Sequence, residues 1–328
     1  MTVQAAFSAA ALQLDCGSAA EQIQAAIRDG VFRECRRKGV VLGLSGGVDS
    51  SVAAALCVRA LGSERVLGVF MPEADSSGDS LRLGRELADA LAIETALEDI
   101  TPILESAGCY RRRDEAVRRV IPEYADGWKC KIVLPDQLGG AAYPIFTVVA
   151  RSPAGRETVR RLTAEAYKGV VAATNFKQRT RKMMEYYYAD KFQFAVAGTP
   201  NLLEYDQGFF VKNGDGAADL KPLAHLYKTQ VYQLATHLGI PREIQERRPT
   251  TDTYSLEQSQ EEFYFALPYR EMDLCLYGAD HGVAPADVAD ATGLEVEQVE
   301  QAYRLIGSRR AATRYLHLRP LLVDDAAG

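Results

Sequence analysis

Short apolar runs alternate with amphipathic stretches through the first third of the chain. Residues 39–44 form an apolar run that ends in a glycine-rich turn, and the alanine-rich stretch 51–61 behind it reads as a helix. A second apolar run covers 65–70 and leads into the polar loop 73–80. Leu81, Leu83, Leu87 and Leu91, with alanines between them, suit a helix lying on a sheet, and 93–97 reads as a third strand. This order predicts an α/β fold: a parallel twisted sheet flanked by helices, Rossmann-like in layout.

The rhythm changes between about residues 109 and 162. Strands are predicted at 130–134 and 145–151, Ser152-Pro153-Ala154-Gly155 is a turn signal, and 157–162 reads as a return strand. The stretch is read as a β-hairpin element inserted into the α/β domain, not as a separate domain. A helix is expected from Thr163, with Glu165 and Glu185 along it, and then a buried strand at 192–197 that ends in Gly198-Thr199. A glycine-containing loop at 212–219 precedes a helix over 228–238 closed by Gly239, and helix is expected again from Asp273. Residues 285–306 read as two short helices joined at Thr292-Gly293-Leu294. That spacing resembles a helix-turn-helix, but Glu295, Glu297 and Glu300 give the second helix the wrong sign for phosphates, so a packed pair is expected. Residues 1–275 are taken as one α/β domain and 276–328 as its helical C-terminal segment and tail.

Composition then removes several classes. The chain has 328 residues and a formal net charge of −6, which argues against a general nucleic-acid binder and still permits a local basic site for a phosphate compound. No apolar run approaches the roughly 20 residues that cross a bilayer. The first basic residue, Arg28, follows the alanine-rich stretch 5–14, the reverse of a secretory signal. The cysteines, at 16, 35, 57, 109, 130 and 275, form no CxxC pair, and with four histidines no zinc site is expected. Scattered thiols without a secretion signal suit a reducing cytoplasm.

The strongest local signal is Gly43-Leu44-Ser45-Gly46-Gly47-Val48-Asp49-Ser50-Ser51, at the end of a predicted strand and the start of a predicted helix. A helix N-terminus presents unpaired amides and a positive dipole end, which together form an anion site. Gly46 and Gly47 leave the backbone open to phosphate oxygens, and Ser45, Ser50 and Ser51 offer hydroxyls. Asp49 is out of place beside phosphates unless a magnesium ion lies between them. No lysine follows the second glycine, so the string is not the GxxxxGK[ST] loop, and it is not GxGxxG. The SGGxDS string resembles the pyrophosphate loop of the N-type ATP pyrophosphatases, which split ATP between its α and β phosphates and adenylate an oxygen nucleophile.

Further motifs narrow the resemblance. Met71-Pro72 with Asp75-Ser76-Ser77, then residues 175–181, then Ala197-Gly198-Thr199 with Asn201 and Glu204, then 208–219, Leu226-Tyr227-Lys228-Thr229-Gln230 and Pro249-Thr250-Thr251-Asp252 follow in order. In this series the chain resembles the NAD synthetase family over roughly 20–105 and 164–275. The resemblance implies an ammonia-dependent, AMP-forming carbon–nitrogen ligase with ATP as co-substrate and Mg2+ as cofactor. The nicotinate carboxylate of deamido-NAD would attack the α-phosphate, pyrophosphate would leave, and ammonia would displace AMP from the acyl adenylate.

The same resemblance implies residue roles. Asp49 and Glu204 would hold magnesium, and Lys228 would reach the ATP phosphates. The loop from Gly43 to Ser51, with Met71, Thr199 and Thr250, would surround ATP. Arg179, Lys212 and Asp219 would contact the dinucleotide, and Asp49, Lys228 and Asp219 would carry the chemistry. A homodimer is implied. Too few residues precede Gly43 for a fused glutaminase, so free ammonia or a separate glutaminase is the expected nitrogen source. Three departures fall on the acceptor side: the insertion, which stands where it would roof the site; Pro200 in place of an acidic residue; and a tail with Arg309-Arg310 and Arg314-Tyr315-Leu316-His317 instead of a His-Lys pair. They leave open the same adenylating chemistry on a different carboxylate.

Overall fold

The computed structural model describes residues 7–133, 146–247, 249, 253–258, 264–265 and 267–323. Helix α1 (Cys16–Asp29) leads into β1 (Val40–Gly43), α2 (Val48–Leu61), β2 (Val66–Phe70), α3 (Gly78–Leu91) and β3 (Glu94–Leu97), the alternation that the sequence pattern predicts. The strands lie in the order β3-β2-β1-β7, with β7 at Ala195–Val196, and every neighbouring pair is parallel. Val41 pairs with Leu67 on one side and Val196 on the other.

Burial explains why β1 is apolar at every position. Successive side chains of a strand point to opposite faces. Val40 and Leu42 enter the core beneath α2, while Val41 enters the core on the other face, with Val69, Ile100 and Leu104. Helix α2 is itself buried from Val52 to Cys57, sandwiched between the sheet and its neighbours α1 and α8 (Lys228–Leu238). An apolar helix start over a strand end is therefore a packing necessity here, and it fixes where the glycine turn points.

Helices α4 (Thr101–Ser106) and α5 (Cys109–Arg118) occupy ground that the sequence pattern left unassigned or read as the start of the insertion. Strands β4 (Lys129–Val133), β5 (Thr147–Arg151) and β6 (Glu157–Arg161) then form a separate antiparallel sheet in the order β4-β5-β6. Leu134 and Ile145, expected at the ends of two of these strands, lie outside the described residues. Cys130, Ile132, Val148 and Ala150 face inward onto Val117 of α5 and onto Ala166 and Val170. The last two belong to α6 (Ala164–Phe192), which is capped by the Thr163 hydroxyl accepting from the Ala166 amide at 3.1 Å.

Helix α6 runs to Phe192 and closes at Gln193 in the left-handed region, so the strand expected at 192–197 is shorter than predicted. Next come α7 (Leu202–Asp206), α8 with Gly239 as its left-handed cap, α9 (Arg242–Glu246) and α10 (Tyr269–His281). Helix α10 begins at Tyr269, ahead of the expected Asp273, with Pro268 as its N-cap residue. The final pair is α11 (Pro285–Thr292) and α12 (Val296–His317), and α12 continues well past residue 306. None of the six cysteines forms a disulfide, and no helix among the described residues is long and apolar enough to cross a membrane.

Candidate functional site

The turn between β1 and α2 opens into a cavity of about 540 Å3. Gly43, Leu44, Ser45, Gly47, Val48, Asp49 and Ser50 line it, as do Met71, Thr199, Glu204, Arg179 and Lys212. The Leu44 amide still donates to the Val69 carbonyl at 3.0 Å, so the sheet ladder holds the turn at its root. Gly47 caps α2 with no side-chain hydrogen bond, which leaves the first-turn amides to whatever enters the cavity. Ser50 and Ser51 turn back and donate to the Gly47 carbonyl, at 3.0 and 2.8 Å, and Ser45 lies 3.1 Å from Ser50. These hydroxyls brace the turn. Ser51 is fully buried and does not line the cavity. Nor does Gly46, whose need for glycine has another cause: its φ is +71°, and a Cβ there would sit 2.4 Å from the Ser80 carbonyl oxygen.

Asp49 sits at the centre of a charge arrangement that three elements build. Its Oδ2 pairs with the ammonium of Lys228, the first residue of α8. Its Oδ1 accepts from Asn201 Nδ2 at 3.0 Å. Asn201 in turn forms a reciprocal cap with Glu204, accepting from the Glu204 amide at 3.1 Å while its own amide donates to Glu204 Oε2 at 3.3 Å. Lys228 is 0% exposed and does not reach the cavity surface; Asp49 stands in front of it. Burial pulls the Lys228 pKa down, but the facing Asp49 and Glu204 outweigh that pull and raise it above its ordinary value.

Arg179 and Lys212 meet at the other side of the cavity, where Arg179 Nε donates to the Lys212 carbonyl at 3.3 Å. The Lys212 ammonium donates to the Tyr315 carbonyl at 2.7 Å, at the C-terminal end of α12. A cation there answers the negative end of the helix dipole. The tail therefore takes part in the site, with Tyr315 and Leu316 both lining the cavity. Asp219 is not among the lining residues. Its Oδ2 accepts from the Val196 amide at 2.7 Å, and its Oδ1 accepts from the Tyr186 hydroxyl at 3.4 Å, beside the short strand β7. Thr250 lies outside the described residues.

Several charged groups escaped the sequence reading. Lys182 and Glu185, three residues apart on α6, form a buried pair at 2.5 Å, and Glu185 reaches beneath Gly43. Burial raises the Glu185 pKa although Lys182 opposes it. Asp215 lines the cavity, accepts from the Val211 amide at 2.7 Å, and is pushed up by burial. Asp273 on α10 accepts from the Thr229 amide at 2.7 Å and from the Thr229 hydroxyl, which anchors the first turn of the helix that carries Lys228. Burial pushes its carboxyl up to about 6, against the opposing hydrogen bonds from Thr229. Asp215 lies inside the quoted 208–219 stretch and Asp273 stands among apolar residues of α10, while nothing in the sequence singles out the Lys182–Glu185 pair.

The comparisons with known proteins place the chain in a family. The family model described as NAD synthase matches residues 19–119 and 154–312, and skips the stretch that holds β4 and β5. The NH(3)-dependent NAD(+) synthetase of Rhizobium rhizogenes strain K84 is 55% identical over 324 residues, covering 99% of this chain and 98% of that protein. The NH(3)-dependent NAD(+) synthetase of Thermotoga maritima is 34% identical, covering 84% of this chain and 90% of that one. Among solved structures, an NH3-dependent NAD synthetase from Campylobacter jejuni superposes with a TM-score of 0.61 at 21% identity, over 94% of this chain and 100% of that chain. An NMN synthetase from Francisella tularensis gives 0.64 at 22% identity, over 94% of this chain and 99% of that chain. At those identities the two structures speak for the fold alone.

Asp273 gives a measurable signature. Its folded pKa, about 6, lies above the unfolded value near 3.8, so its contribution to stability is present below about pH 4 and is lost as pH rises through 6. Asp273→Asn removes that dependence. The unfolding free energy of the variant relative to the parent is expected to improve by on the order of 3 kcal/mol between pH 4 and pH 7. Urea unfolding at several pH values measures this, and a difference that does not change with pH would contradict it.

Proposed function

The chain belongs to the NAD synthase family, and on that premise we propose how its own residues carry out the reaction. It is an ATP-dependent ligase that amidates deamido-NAD with ammonia. The observation that carries the mechanistic reading is the helix N-terminus of α2 opening into the cavity, with Asp49 held between Lys228 and Asn201 at its mouth. The relative from Rhizobium rhizogenes aligns over almost the full length of this chain. The inserted sheet and the altered tail are therefore compatible with deamido-NAD as acceptor, and no different carboxylate is needed to account for them.

In our reading the α2 amides and the bare backbone of Gly47 receive the ATP phosphates. Thr199 and Met71 face the nucleotide, with Thr250 proposed beside them. Asp49 and Glu204 meet the cavity with Asn201 between them, and among the described residues no group of three or more His, Cys, Asp or Glu closes into a cluster. Two carboxylate donors suit Mg2+, a hard cation that keeps waters and takes its other oxygens from phosphates. When bound there, Mg2+ would neutralise charge on the departing pyrophosphate. Lys228 pairs with Asp49 and fixes its position at the cavity, and Asp273 holds the helix that presents Lys228.

Arg179 and Lys212 supply the counter-charge for the pyrophosphate of the acceptor, and the end of α12 positions the Lys212 ammonium. Asp219 stays a proposed acceptor contact on the β7 side, where the dinucleotide would be reached across a subunit boundary. Catalysis is then positioning plus electrostatic stabilisation of phosphate charge. Ammonia arrives free or from a separate glutaminase. The enzyme is proposed to work in the cytoplasm on small molecules, without nucleic acid or membrane.

A homodimer completes the proposal. Helix α6 leaves Met183, Tyr187 and Phe192 exposed, and the tail exposes Leu321, Leu322 and Val323. Apolar groups left uncovered in this number suit a contact between copies of the chain. Sedimentation equilibrium is expected to return twice the 35.9 kDa chain mass, and a single-chain mass at micromolar concentration would remove the proposal.

The chemistry is tested by following NAD and AMP with ATP, magnesium, ammonium and deamido-NAD. Asp49→Ala is expected to lower turnover by about 10³-fold, the scale of losing a main electrostatic stabiliser; a rate near that of the parent would strike out the magnesium assignment. Lys212→Ala is expected to raise the KM for deamido-NAD about tenfold or more, as for a hydrogen bond to a charged group, with the KM for ATP unchanged. An equal rise for both substrates would count against its acceptor role.

A further inference from the structure

Lys177 lies on α6, is 1% exposed, and does not line the cavity. Its ammonium has three hydrogens and three acceptors: Glu73 Oε1 at 3.0 Å, Asp75 Oδ2 at 2.7 Å and the backbone carbonyl of Thr253 at 2.9 Å. The two carboxylates are themselves held. Tyr110 donates its hydroxyl to Glu73 at 2.7 Å, and Arg113 donates to Asp75 at 2.6 Å. Burial raises the Asp75 pKa, but the two cations beside it prevail and keep it below the ordinary carboxylate range. Two buried cations thus face the buried Glu73 and the half-buried Asp75, and the third hydrogen of the ammonium is spent on a loop.

That loop is the segment 253–258, and it is gripped from a second side. It lies along the outer edge of β4. The Leu256 amide donates to the Cys130 carbonyl at 3.2 Å, the Cys130 amide donates to the Ser255 hydroxyl at 2.8 Å, and Gln258 Nε2 donates to the Ile132 carbonyl. Strand β4 belongs to the stretch that the family model skips. The segment matters because Thr253 and Tyr254, with Pro249 before them, line the cavity, as do Ser76 and Ser77 in the loop after β2. Glu73 and Asp75 belong to that same loop, so one ammonium joins both walls.

We infer that Lys177 and the outer edge of β4 together hold the 253–258 segment against the cavity, so that the wall facing the nucleotide is set before ATP arrives. The inserted sheet is a fixed brace for that wall, and Lys177 is a positioning residue. The inference rests on reading the cavity as the ATP site. Removing the carbonyl of Thr253 from the ammonium would leave a buried donor unpaired, which the interior penalises heavily. Ordering the wall in advance lowers the entropy lost when the nucleotide binds.

The test compares KM for ATP, KM for deamido-NAD and kcat in four proteins: the parent, Lys177→Met, Lys177→Arg and the double variant Ser255→Ala with Gln258→Ala. Lys177→Met is expected to raise the ATP KM about tenfold, with the deamido-NAD KM within about twofold of the parent and kcat at saturating ATP largely kept. Lys177→Arg keeps the charge and is expected to recover part of the loss. The double variant leaves every cavity residue in place and is expected to raise the ATP KM by about threefold. An unchanged ATP KM in folded Lys177→Met, or an equal rise for both substrates, overturns the inference. If Lys177→Met lacks a cooperative thermal transition, the double variant decides, and an ATP KM like that of the parent then overturns it. A parent protein that makes no NAD from ATP and deamido-NAD would strike the ATP reading instead.

Discussion

A lysine ammonium with no access to water dictates the layout of this site. Lys228 is wholly buried at the first turn of α8, and such a charge persists only with a counter-charge at contact distance. Asp49 supplies it from the first turn of α2, and Asn201 takes the remaining oxygen of that carboxylate. The pair therefore ties together the helix starts that follow β1 and the Leu226-Tyr227 turn, and it fixes where Asn201 and Glu204 stand. Glycines in the turn after β1 would be a common loop without this clamp. With it, the α2 amides, two carboxylates and a masked cation converge on one opening.

The same logic of buried charge recurs at the edges of the site, with different partners. Lys182 and Glu185 neutralise each other beneath Gly43, Lys177 is shared among two carboxylates and a carbonyl, and Lys212 is satisfied by the end of a helix. Lys177 and Lys212 each join elements far apart in the chain, whereas Lys182 and Glu185 pair within α6. The fold thus uses buried cations as fasteners behind the cavity, while Arg179 and Lys212 line it alongside backbone amides and carboxylates. This division suits a reaction whose substrates are polyanions: fastened cations raise the local potential without collapsing into the space that the phosphates need.

Much of this was legible in the sequence, and the reasons it was legible are physical. β1 and α2 declared themselves because a central strand and its covering helix must be apolar throughout, and α8 ended where Gly239 permits a left-handed cap. Helices α4 and α5 did not, because α5 carries four arginines in ten residues and buries few apolar side chains, so its periodicity is faint. In the site, Asp49, Glu204, Arg179 and Lys212 came through as motif residues and do line one cavity. Lys177 sat inside a quoted motif, yet its role stayed hidden, since its third acceptor is a main-chain carbonyl 76 residues away and main-chain atoms leave no trace in composition. Asp273 was hidden for a related reason: its partner is the amide of Thr229, and only packing brings α10 to α8.

The contact at Gly46 reaches beyond the turn itself. A Cβ on Gly46 would meet the carbonyl of Ser80, and the Ser80 hydroxyl accepts from Arg247 at 3.0 Å, a residue that also lines the cavity. The glycine turn and the first turn of α3 are therefore packed against each other, and Arg247 is tied to the same serine. A single methyl group at position 46 would therefore be felt by the start of α3, which carries Ser80, as much as by the turn that holds the glycine.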